Sequence, residues 1–87
     1  MDEMVLNGKR MMSERDAGKY LADMFDFPEY VGTDLESVYD ALVDLIEPVH
    51  VVITNRTLME TTDFGSKLIW VFEDAASDSD ALKLSFM

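Results

Sequence analysis

Cysteine is absent from this 87-residue chain. Its absence excludes a disulfide framework, a thiolate metal site and a cysteine nucleophile. Cations are scarce: seven Lys and Arg stand against 18 Asp and Glu, for a net charge of −11. A surface so acidic is repelled by nucleic-acid phosphates and attracts basic partners. There is one histidine, His50, at the start of a hydrophobic run, where a lone His is ordinarily structural. The four glycines are scattered, so no loop cradles phosphate. No acids surround a central Gly at EF-hand spacing, and no metal or cofactor is implied. No apolar run reaches the roughly 18 residues of a membrane span. No apolar stretch follows a basic N-terminal segment as in a secretory signal. The expected location is therefore the cytoplasm.

What is present is an apolar content of 48%, ordinary for a globular protein and too high for a disordered acidic tail. The length fits a single domain over residues 1–87 with a modest core. The most informative stretch is FPEYVGTDLESVYDALVDLIEP, from Phe27 to Pro48. Leu35, Val38, Tyr39, Leu42, Leu45 and Ile46 recur at helical spacing and predict an amphipathic helix. Thr33 and Glu36 have the form of a capping box, Gly32 frees the turn before it, and Glu47-Pro48 ends it. Residues 33–47 carry five carboxylates (Asp34, Glu36, Asp40, Asp44 and Glu47) and no Lys or Arg. Glu36, Asp40 and Asp44 form one stripe, each four residues after the last, with Glu47 beside them. Like charges at this spacing are unfavourable, and acids in the last helical turn oppose the helix dipole. A solvated acidic face is the plain explanation. A locally unfavourable choice made three times also points to use by something outside the helix.

Along the chain, Glu3–Leu6 reads as a short strand closed by Asn7-Gly8. Ser13 caps a helix whose apolar positions are Ala17, Tyr20, Leu21, Met24 and Phe25. Tyr30, in the loop before the acidic helix, suits either an interface or the core. His50–Thr54 is a β-branched run typical of a buried parallel strand. A helical turn near Leu58-Met59 is followed by a helix over 63–76, with Ile69 and Trp70 widening its buried face. Ser77–Asp80 reads as a turn, and residues 81–86 alternate as a final strand. The order β-α-α-β-(α)-α-β predicts an α/β fold: a three-stranded parallel sheet packed with three main helices.

Glu36 and Asp40 could in principle act as an acid–base pair, but a convex helix face offers no pocket to position a substrate. No serine–histidine–acid arrangement is evident, and an enzyme is not expected. Acyl carrier proteins are also small and acidic, but Asp34-Leu35-Glu36-Ser37 lacks the order of their attachment motif, and that fold has no strands.

The segment Pro28–Leu42, PEYVGTDLESVYDAL, closely resembles the PEYYGENLDALWDCL segment of the barstar family, inhibitors of secreted microbial ribonucleases. Val5–Gly8 is similar to the family's first strand and turn, and Val71–Ala75 to its last helix. The resemblance spans the whole chain. It implies a sheet of three parallel strands covered by helices, and a loop and second helix that plug a ribonuclease active site. On this resemblance Asp40 corresponds to the aspartate that enters the phosphate site deepest, and Glu36 to the acid one turn earlier. Tyr30 corresponds to the loop tyrosine, Tyr39 stands at a tryptophan position, and Asp74 stands at that of a peripheral glutamate. The expected partner-binding face is Tyr30, Gly32, Asp34, Glu36, Tyr39, Asp40, Ala41, Asp44 and Asp74. The expected partner is a basic extracellular ribonuclease bound 1:1, with no nucleic acid or membrane involved. An immunity or interaction protein of the same fold, aimed at a different basic target, is the alternative. Glu36 is one methylene longer than the family aspartate, and Val31 replaces a second tyrosine.

Overall fold

A computed structural model describes residues 2–28, 31 and 34–87. Its strands are β1 (Asp2–Asn7), β2 (Val49–Thr54) and β3 (Leu82–Phe86), parallel, in the spatial order β1-β2-β3. The helices are α1 (Glu14–Phe25), α2 (Leu35–Val43), α3 (Arg56–Met59) and α4 (Asp63–Asp78), with a 3₁₀ turn at Gly8–Met11. The α/β architecture and all three strands agree with the sequence pattern. The β-branched run of β2 is the central strand, paired on both edges.

The strand period of two divides the sheet into unlike faces. Leu6, Val51 and Ile53 point into a core shared with Ala17, Leu21, Val38, Leu42, Leu68 and Phe72 of the helices. Glu3, Val5, His50, Lys83 and Ser85 lie on the opposite face, in register across the strands. The helix starts follow local chemistry. Ser13 Oγ accepts the Asp16 N–H at 3.2 Å, capping α1. Thr62 Oγ1 accepts the Gly65 N–H at 3.0 Å and donates to the Met12 carbonyl at 2.8 Å, so one hydroxyl caps α4 and ties it to the start of α1. Gly65 is required by close approach: a Cβ there would collide with the Met59 carbonyl.

Three details differ from the sequence reading. First, α2 begins one residue later and ends sooner. Its cap is Asp34, whose Oδ1 accepts the Glu36 N–H at 3.2 Å, in place of the Thr33–Glu36 box; Thr33 itself lies outside the described residues. The helix stops at Val43, with Asp44 as its C-cap. Asp40 and Asp44 repel each other there, and no basic residue occupies the last turn. Leu45 still packs on the core, but Ile46 is 91% exposed, and Glu47 has left the helical stripe. Second, α4 runs through Ser77 and Asp78, which the sequence suggested were a turn. Third, Trp70 is 65% exposed, so only Ile69 of that pair widens the buried face.

Candidate functional site: an acidic face on two helices

Helix α2 is short, and its core side is set by Val38 and Leu42, both fully buried. That anchoring turns Glu36, Asp40 and Asp44 outward, where all three are exposed. Asp34 is exposed too, but its carboxylate is occupied: besides the Glu36 amide it accepts the Ser37 hydroxyl at 3.1 Å. Asp34 thus starts the helix that presents the other acids. Ala41 is half-buried at the edge of the face. Val31 is 7% exposed and belongs to the core, so the residue at the family's second tyrosine position is directed inward. Tyr30 and Gly32 lie outside the described residues.

Helix α4 packs beside α2 and extends the acidic face. The Tyr39 hydroxyl donates a hydrogen bond to the Asp78 carboxylate, linking the two helices. This bond holds the Tyr39 phenol above its ordinary pKa of 10.0; desolvation and the negative charges of Asp78, Asp74 and Asp40 push it the same way. That influence places Tyr39 within the field of acids from both helices. Asp40, Tyr39, Asp74 and Asp78 therefore gather in one neighbourhood. Asp78 is absent from the expected face because the apolar spacing ends the helix at residue 76, two residues before its actual end. Its spacing of four from Asp74 repeats the Glu36-Asp40-Asp44 pattern and would have revealed it.

Helix α2 itself carries no Lys or Arg, and Lys67 of α4 shares a depression with Asp34 at the start of α2. Lys9, Arg10 and Lys19 surround a separate depression with Asn7 and Asp16. Among the described residues, the ion pairs are Arg56–Glu60 and Lys67–Asp63, and neither engages the acids of α2 or the Asp74–Asp78 pair. Unneutralised carboxylates on a convex surface can meet cations held by another molecule. No group of three or more His, Asp or Glu among the described residues is arranged to hold a metal. Among the described residues, no helix is long and apolar enough to cross a membrane.

A family model described as Barstar (barnase inhibitor) matches residues 1–87. The chain belongs to the barstar family. Among curated proteins, none matches the chain. Members of the barstar family are inhibitors of barnase-type ribonucleases, and Glu36 and Asp40 of the acidic face lie within Pro28–Leu42, the segment whose resemblance to the family is closest.

The open face of the sheet carries one further polar constellation. His50 Nε2 lies 2.8 Å from Ser85 Oγ, and Nδ1 lies 3.7 Å from Glu3. These are the residue types of a hydrolase triad, which the sequence reading did not find. The carboxylate is beyond hydrogen-bond range of the ring. As the central strand, β2 has its amides committed to ladders on both sides, so none beside His50 is free to hold an oxyanion. The His50–Ser85 hydrogen bond links β2 to β3 on this face, with Glu3 of β1 beside it.

Proposed function

We propose that this protein inhibits a secreted microbial ribonuclease by inserting residues 27–47 into its basic active site, from within the cytoplasm of the producing cell. The observation that carries this reading is the exposed stripe Glu36-Asp40-Asp44, which pairs with no cation among the described residues and is continued on α4 by Asp74 and Asp78. A ribonuclease gathers cations to bind the phosphates of its substrate. A carboxylate on a rigid helix can take the place of such a phosphate, and a helix prepays the ordering that a loop would incur on binding. In this arrangement Asp40 enters the phosphate site, with Tyr39 packed beside it. Glu36 and Asp44 flank it one turn to either side. Asp74 and Asp78 meet cations at the rim. Tyr30 and Gly32 belong to the loop that completes the contact, and Ala41 lies at its edge.

The test is capture followed by assay. With this protein as bait, secreted proteins of its own host are expected to yield a small basic ribonuclease bound 1:1, whose activity the bait abolishes. Recovery of a basic protein with no ribonuclease activity would assign the same acidic face to a different target. Hydrolase activity in the purified chain would contradict both.

A further inference from the structure

At the end of the sheet where β1 and β2 begin lies an open groove of about 700 Å³. Met4, Met24, Phe25, Phe27, Leu45 and Ile46 provide its apolar wall. Phe25 and Phe27 are stacked with centroids 4.9 Å apart, which makes part of that wall flat and stiff. Ile46 is 91% exposed because α2 ends at Val43 and the chain then turns away. The volume lies within the range of about 300–1,000 Å³ usual for clefts that hold ligands. The polar lining is of one sign: Asp2, Glu3, Asp44 and Glu47, with no Lys or Arg.

We propose that this groove is a second docking surface, whose occupant is a helical segment of a protein partner carrying apolar side chains flanked by Lys or Arg. The charge of the lining selects this occupant. A second copy of the chain would bring another net −11 against four acids. An anionic membrane surface is repelled in the same way. A neutral apolar ligand would use the wall and leave the acids without a role. A cationic amphipathic helix uses both, with its apolar stripe on the phenylalanines and Ile46 and its cations on the acidic lining. Asp40 does not line the groove, whereas Phe27, Ala41, Asp44, Leu45, Ile46 and Glu47 do, so the groove adjoins the proposed plug, and its occupancy can be tested without a nuclease.

The probe is a fluorescein-labelled Leu/Lys peptide with a helical leucine stripe, followed by anisotropy. Two controls share its length: a scrambled peptide of the same composition, and one with glutamine in place of every lysine. The deciding variant is Ile46→Glu, which adds an acid while removing an exposed apolar contact. If the groove docks the helix, Ile46→Glu weakens binding by about tenfold, the loss expected for one apolar anchor. Both control peptides then bind at least about tenfold more weakly. Equal or tighter binding by Ile46→Glu, or by the scrambled peptide, would show attraction by net charge alone and overturn the proposal. Equal binding of the glutamine peptide would remove the acids from it. Methyl NMR of methionine gives the location. The signals of Met4 and Met24 are expected to shift on titration while those of the fully buried Met11 and Met59 stay in place. Unmoved Met4 and Met24 signals would place the peptide elsewhere and overturn the assignment.

Discussion

Asp40 and Asp44 are both exposed acids on the same side of the chain, four residues apart. A merely solvated face treats them alike: replacing either with Ala changes stability by less than about 0.5 kcal/mol. The inhibitor reading separates them. Asp40→Ala leaves the partner's desolvated cations unpaired, which costs about 2–5 kcal/mol or more and appears in the off-rate, a range to which the barnase–barstar complex itself contributes. Asp44 is the C-cap, one turn nearer the rim, where water screens it. Asp44→Ala is expected to cost about 1 kcal/mol or less. The inhibition constants of the two variants against the captured nuclease decide the matter, and equal losses would mean that the family's residue roles do not carry over to this chain. Tyr39 makes a prediction about pH. Its folded pKa is raised, so the unfolded state releases this proton first as pH climbs. The stabilisation from its neutral form is full below the unfolded value of about 10 and is lost as pH rises through the folded value. Denaturant unfolding of wild type and Tyr39→Phe should therefore differ in slope against pH above about 10. Parallel curves there would show that the link to Asp78 does not hold in solution.

The elements that were legible in the sequence are those whose causes are local. Ser13 caps α1 because a hydroxyl satisfies a free amide three residues on, and the spacing shows it. The run His50–Thr54 reads as a buried strand because consecutive β-branched residues suit a strand of a parallel sheet, and the structure makes it the middle one of three. Where the reading missed, distant contacts decide. The spacing of α2 continues to Ile46, yet the helix stops at Val43, where its own acids and the need to reach β2 outweigh the pattern. Trp70 is apolar and helically spaced, but it stands 65% exposed, uncovered by any of the described elements. Asp78 joined the site only because α4 runs two residues further than expected. The groove follows from how the ends of α1 and α2 meet the starts of β1 and β2, which spacing within one element cannot reveal. One helix end carries a removable strain. Asp26 closes α1 with φ 61°, a left-handed conformation that costs most non-glycine residues about 1–2 kcal/mol. It also places an acid at the negative end of the helix dipole. Asp26→Gly is expected to stabilise the protein by about 1 kcal/mol, raising the melting temperature by roughly 4–8 °C. An unchanged or lower melting temperature would mean that the aspartate side chain offsets the strain by a contact of its own.

For the whole molecule, the decisive property is how the charge is distributed. A net charge of −11 on 87 residues repels itself, and the acids of α2 and α4 have no internal partners among the described residues to reduce that cost. Such an arrangement speeds encounter with a basic protein. Association with the captured nuclease should slow by about tenfold or more as salt rises from low to 1 M, where the screening length is about 3 Å. Trp70 is the single tryptophan and stands one turn before Asp74, so its emission is a suitable signal for stopped-flow. An association rate indifferent to salt would remove the electrostatic basis of the account. The central claim is that the acidic face occupies the nuclease's substrate site. It is tested most directly by titrating the protein into the captured ribonuclease while a labelled oligonucleotide analogue that resists cleavage is bound there. The account predicts that one equivalent displaces the oligonucleotide and abolishes activity together, with Asp40→Ala far weaker in both. A complex that forms while the oligonucleotide stays bound and the nuclease stays active would contradict it.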